Sequence, residues 1–149
     1  VRPPISALDP PATLVIHSDM SKTIAMMTLV VADYDVAITF YRDALGFAVL
    51  ADTDMGGGKR WVVLGPSAGG GARLLLAKAS GAAQDAAVGN QTGGRVMGFI
   101  ETEDFARSHA DMLARHVTFL EAPRHEPYGW VAVFADPYGN KWDLIEPGS

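Results

Sequence analysis

The sequence predicts an α+β fold built from two βαβββ modules, and three observations predict it. First, one order of elements (strand, helix, three strands) occurs twice. Second, the two runs lie about 70 residues apart, so that Trp61-Val62-Val63-Leu64 answers Trp130-Val131-Ala132-Val133, as expected for an internal duplication. Third, hydrophobic spacing changes from strand-like to helical and back within each run. Such modules combine into a curved, half-barrel mixed sheet with the helices outside, and a ligand is expected on the concave face at the junction.

The first module opens with Ile24 to Val31, rich in β-branched and apolar residues, which reads as a buried strand. Asp33 is placed to cap a helix whose apolar stripe is Val36, Ala37, Phe40, Tyr41, Ala44 and Leu45. Gly46 follows where a helix often ends in a left-handed residue. Phe47 to Leu50, Arg60 to Leu64 and Arg73 to Ala77 read as strands, and glycine-rich Asp52 to Gly58 as a loop. Residues 78–94, dominated by Ala, Gly, Gln and Asn, read as a linker with one helical turn.

The second module repeats the order. Arg95 to Glu101 is a strand, and Thr102 can cap a helix with Phe105, Ala106, His109, Met112 and Leu113 on one face. Val117 to Leu120, Trp130 to Ala135 and Lys141 to Glu146 are strands, with Asp136-Pro137-Tyr138-Gly139 as turn chemistry between the last two. The modules thus span about 23–78 and 94–147 of one domain, 23–149. Residues 1–22 are set apart by Pro3, Pro4, Pro10 and Pro11 and read as an N-terminal extension, either a remnant or an arm that docks on its own sheet or a partner chain.

Composition narrows the function. With 48% apolar residues and no apolar run near the roughly 20 residues of a membrane span, the 149-residue chain reads as globular. A net charge of −5 without a basic stripe argues against nucleic acid or an anionic membrane as partner. The absence of cysteine excludes disulfides, thiolate metal sites and cysteine nucleophiles, and fits the cytoplasm. No basic stretch followed by an apolar one opens the chain, so no signal peptide is expected. There is no HExxH, Walker-type loop or nucleophile elbow. The four histidines form no ligand pattern: His109 reads as packed, and His116 lies near a helix C-terminus.

Two segments carry a family resemblance. Val31-Ala32-Asp33-Tyr34-Asp35 followed by Phe40-Tyr41-Arg42-Asp43-Ala44-Leu45-Gly46-Phe47, and the ending Phe134-Ala135-Asp136-Pro137-Tyr138-Gly139-Asn140-Lys141-Trp142-Asp143-Leu144-Ile145-Glu146, resemble glyoxalase/bleomycin resistance/dioxygenase proteins, the vicinal oxygen chelate superfamily. The resemblance runs from about residue 24 to 147 and implies the glyoxalase-like fold. It spans isomerases, dioxygenases, epimerases and antibiotic binders, so it leaves the function open.

In metal-dependent members, the resemblance implies four ligands, one from the first and one from the last strand of each module. Carried over, these positions are Met26, Leu75, Arg95 and Asp143. Only Asp143 suits a metal, and one carboxylate beside an arginine is not a first-row metal site. No cofactor is therefore expected, a divalent metal being the alternative. Arg95 and Asp143 are expected to pair where the metal would sit. That pair either closes an unused site or holds an anionic or oxygen-rich ligand.

Other candidates divide the same way. Trp61 and Trp130 either fill the core or line a pocket. Tyr128 is placed at the cavity rim. Arg60, with Lys59 beside it, and His125-Glu126 stand at strand entrances; Glu126 and Asp143 are the candidate bases. Gln91, with Asn90, can bond a ligand or cap a turn. The expected function is metal-free binding of a small molecule in the cavity. The alternative is a metal-dependent lyase, isomerase or dioxygenase. The resemblance also implies a homodimer, since many relatives are dimeric and some exchange modules between chains.

Overall fold

The computed structural model describes residues 20–148, so the extension lies almost wholly outside the described residues. Two mixed sheets carry the fold. The first contains β1 (Met26–Val31), β2 (Phe47–Gly56), β3 (Lys59–Pro66) and β4 (Arg73–Lys78) in the order β1-β4-β3-β2. The second contains β5 (Val96–Glu101), β6 (Thr118–Phe119), β7 (Arg124–Glu126), β8 (Gly129–Ala135) and β9 (Lys141–Pro147). Its order is β5-β9-β8-β6, with β7 also on β8. In each sheet the first strand pairs parallel with the last and the remaining pairs are antiparallel. The expected α+β architecture of two repeated modules is therefore present.

Helix α1 (Tyr34–Thr39) starts at Asp33, whose side chain accepts from the amides of Asp35 and Val36. It buries Tyr34, Ala37 and Ile38, a spacing of three and four that faces the sheet. Val36, expected in the apolar stripe, is exposed instead. The chain then widens into a π-turn (Phe40–Ala44), where the Leu45 amide donates to the Phe40 carbonyl. That extra residue per turn aims Tyr41 into the core, where it is fully buried. Gly46 ends the run at φ 79°, as its position requires.

Two other boundaries differ from expectation. β2 runs on to Gly56, because Ala51 to Asp54 pair with Val63 to Arg60 and the turn needs only Gly57 and Gly58. Helix α3 (Phe105–Ala114) is capped by Asp104 rather than Thr102. The Thr102 hydroxyl accepts from the Asp104 amide and bonds Ser108, while Glu146 accepts from the Phe105 amide. The linker's single helix is α2 (Ala82–Ala87).

One buried cluster joins both modules. Leu29, Val31, Val62, Leu64 and Leu76 of the first sheet meet Ala132, Phe134, Trp142 and Leu144 of the second, with Tyr41, Phe105 and Met112 between them. These residues alternate along their strands, so each sheet buries one face toward the helices and leaves an open face behind it. Gly98 serves this packing: a Cβ there would lie 2.7 Å from the Trp142 ring.

The two family motifs form the tie between modules. The Tyr41 hydroxyl donates to Asp136 at 2.7 Å and accepts from the Trp142 indole at 3.0 Å. Asp136 also accepts from the Asn140 side chain and from the amides of Tyr138 and Asn140. The Tyr138 hydroxyl donates to the Asp33 carbonyl. Burial, then the charge of Asp136, pushes the Tyr41 hydroxyl far above its ordinary pKa, so it stays a donor.

Candidate functional site

Strand register fixes which side chains share the open faces. In the first sheet Thr28, Leu75 and Val63 lie side by side across β1, β4 and β3. In the second, Phe99, Asp143 and Val133 occupy the same row across β5, β9 and β8. Leu75 and Asp143 are thus equivalent, as the resemblance implies for the last-strand positions. The first-strand residues in that row are Thr28 and Phe99. Met26 lies two residues away on the same face, paired with Arg73, and Arg95 precedes β5 altogether.

The tryptophans are not equivalent, contrary to expectation. Val62 and Ala132 share the inner face, so the true offset between β3 and β8 is 70 residues, one more than the matching Trp-Val pairs give. A slip of one residue reverses the face of every side chain. Trp61 therefore shares the open face with Val63. Trp130 lies on the helix side, stacked on Phe105 with ring centroids 6.2 Å apart and on His125 at 4.6 Å. His109 is packed there too, between Phe105 and Phe119.

A cavity of about 570 Å³ opens on the second sheet. Asp143 and Val133 form its floor with Glu121, Phe99 and Leu120 supply apolar walls, and Arg95 and Lys141 stand at its rim. Phe99 is 66% exposed. Asp143 is only 9% exposed, and its Oδ1 is buried without a hydrogen-bond partner. Burial raises the Asp143 pKa above the ordinary carboxylate value; the charge of Glu121 adds to this and Arg124 opposes it.

The expected pair of Arg95 with Asp143 does not form. Arg95 is an exposed side chain ahead of β5, and the described ion pairs do not include it. The charge nearest Asp143 comes from elements the sequence reading passed over. Pro123 cannot donate to a strand ladder, so the strand expected at Val117 to Leu120 breaks after Phe119 and resumes as β7. Across the gap Glu121 accepts from the Val133 amide at 3.0 Å. Arg124 holds Glu121 through its Nε and reaches Glu126 with Nη1. The signal that could have found this group is the run Glu121, Arg124, Glu126 around a strand-breaking proline.

The remaining candidates lie elsewhere. Glu126 is within β7, bound to Arg124, rather than at a strand entrance. Tyr128 is exposed in the β7–β8 turn, where its side chain meets Arg124. Arg60 is taken up by Asp52 and Asp35 and lies over the Tyr34 ring, on the helix side. Gln91 bonds the outer edge of β1, donating to the Thr28 carbonyl and accepting from the Val30 amide. Lys59 borders a separate hollow with Trp61 and Leu75 on the first sheet.

A glyoxalase/bleomycin resistance protein/dioxygenase superfamily model matches residues 23–144. The chain belongs to that superfamily. A protein of Shewanella frigidimarina (strain NCIMB 400), described as uncharacterized, is 45% identical over 128 residues, 85% of this chain and 95% of that one. Among solved structures, UcmS2 is similar with a TM-score of 0.74 at 27% identity, covering 85% of this chain and 98% of its own. TnmS3, an antibiotic binding protein from Streptomyces sp. CB03234, is similar with a TM-score of 0.68 at 25% identity, covering 86% and 98%.

The metal of the superfamily's metal-dependent members does not fit these donors. The positions that the resemblance assigns to it are Met26, Leu75, Arg95 and Asp143, and the cross-strand neighbours Thr28 and Phe99 add no ligand, which leaves a single carboxylate whose Oδ1 lies buried. Among the described residues no three His, Asp or Glu side chains gather as a ligand group.

Proposed function

We propose that this superfamily member binds a small, partly aromatic molecule on the open face of the second sheet, without metal, in the cytoplasm. The observation that carries this reading is the cavity itself. Its volume falls within the usual ligand range of about 300–1,000 Å³, and exposed apolar walls surround one buried polar group. The likeness to the antibiotic-binding TnmS3 supports binding over turnover. No described helix is long and apolar enough to cross a membrane.

Calorimetric titration with small aromatic antibiotics, with and without EDTA, tests the reading. Saturable heat unchanged by EDTA is expected, and Phe99→Ala should weaken it at least tenfold, about 1.4 kcal/mol. Stoichiometric Zn, Ni, Fe or Mn in the purified protein, or binding abolished by EDTA, would favour the metal-dependent enzyme instead.

The acting form is proposed to be a homodimer. The helix sides of both sheets share one core, so both open faces point outward, with Trp61 and Phe99 exposed on them. A second copy, with its first sheet facing this second sheet, would turn an open hollow into a cleft. Sedimentation velocity is expected to give twice the chain mass at micromolar concentration; a monomer at that concentration rejects the dimer.

A further inference from the structure

The chemistry of the cavity floor goes one step beyond binding as such. Asp143 brings a carboxyl oxygen, Oδ1, that is buried and bonded to nothing. A buried polar atom left without a partner is costly, so the free protein holds an unmet demand at one point. Glu121 beside it is already engaged. Its carboxylate accepts from Arg124 and from the Val133 amide. Arg124 is likewise occupied, with Glu126 as its second partner. Two carboxylates on one guanidinium leave that group with a net negative charge before Asp143 is counted. The floor thus lacks a hydrogen-bond donor and is hostile to an anion.

Neither positive group of the lining pairs with Asp143. Lys141 donates to the Gly94 carbonyl at the rim, and Arg95 is exposed on the connector ahead of β5. Phe99 and Leu120 share the lining as exposed apolar surfaces with no polar side-chain group to satisfy.

We propose that Asp143 is the docking point for a positively charged or hydrogen-bond-donating head group, an amine above all, on a ligand whose aromatic ring lies against Phe99 and Leu120. The proposal rests on the reading of this cavity as a ligand site. It reverses the polarity expected from Arg95, which pointed to an anionic ligand. The ammonium would donate to the part of the Asp143 carboxylate that lines the cavity and gain from Glu121 beside it, while any oxygen substituents would turn toward Arg95 and Lys141.

Two probes of one shape and opposite charge test it: 2-phenylethylammonium and 3-phenylpropionate. Each is titrated into the isotope-labelled wild type and Asp143→Asn, following the amide signals of Phe99, Val133 and Asp143 or its replacement. The ammonium is expected to shift these signals saturably, with an affinity at least tenfold lower in the variant, whose remaining spectrum reports an intact fold. Phenylpropionate is expected to leave the floor signals in place. Binding of phenylpropionate at the floor with equal or higher affinity, or ammonium affinity unchanged in Asp143→Asn, overturns the head-group proposal while sparing the cavity as a site. If neither probe moves these signals, the site reading falls, and the proposal with it.

Discussion

Asp136→Ala should lower the unfolding free energy by about 3 kcal/mol or more, the largest loss expected from any single polar substitution here. The carboxylate is 5% exposed and accepts from the Tyr41 hydroxyl, the Asn140 amide group and two backbone amides. Alanine offers none of these donors a partner and admits too little space for water to replace all four bonds. The Tyr41 hydroxyl would also lose the acceptor that orients it toward the Trp142 indole. Urea unfolding followed by tryptophan fluorescence reads the loss. For a domain of this size it corresponds to a melting temperature lower by roughly 6–12 °C. Tyr41→Phe removes one donor and strands one indole N–H, so about 1–2 kcal/mol is expected. Equal stability of Asp136→Ala and wild type would show that the modules hold together by apolar contact alone.

Asp143→Asn should act in the opposite direction, raising stability at neutral pH by about 1–2 kcal/mol. The native carboxyl has a raised pKa, chiefly from burial, so the folded protein binds its proton more tightly than the unfolded chain does. With that sign, wild-type stability is favoured at low pH and falls as pH rises from the ordinary carboxylate value, about 3.9, through the raised native one. Asparagine carries no charge to desolvate and escapes this fall. The gain of the variant should therefore be small at pH 3.5, grow through that window and level off above it. Urea midpoints of both proteins at pH 3.5 and pH 7 give the comparison. A gain of equal size at both would attribute it to shape rather than to charge. Loss of ligand together with gain of stability is the pattern expected when a binding group is held in a strained state.

Much of the fold was legible because it is written locally. The caps at Asp33 and Gly46, the alternation in β3 and β8, and the turn at Asp136 are each decided by residues close together in sequence. What failed to read was decided across strands. The Trp-Val match at residues 61 and 130 suggested equivalent tryptophans, yet pairing with β4 and β9 sets the register one residue away and sends them to opposite faces. The candidate site was legible at Asp143, because the resemblance fixes its strand. It was not legible at Glu121 and Arg124. Their place follows from how a broken strand meets Val133 on β8, a contact 12 residues distant for Glu121. The pairing of Arg95 with Asp143 failed for the same reason: one position ahead of β5, Arg95 reaches the cavity lining but lies beyond the ladder that would have aimed it at Asp143.

The amide of Gln91 lies along the free side of β1, one arm on the Thr28 carbonyl and the other on the Val30 amide. A side chain here imitates a neighbouring strand for the length of one dipeptide. Unpaired strand borders are where chains stack on one another into fibres, and β1 is an outermost strand of its sheet. By filling the groups that an incoming chain would seize, one glutamine from the connector makes this border a poor template for such growth, and it does so with no proline or charged residue in the strand itself.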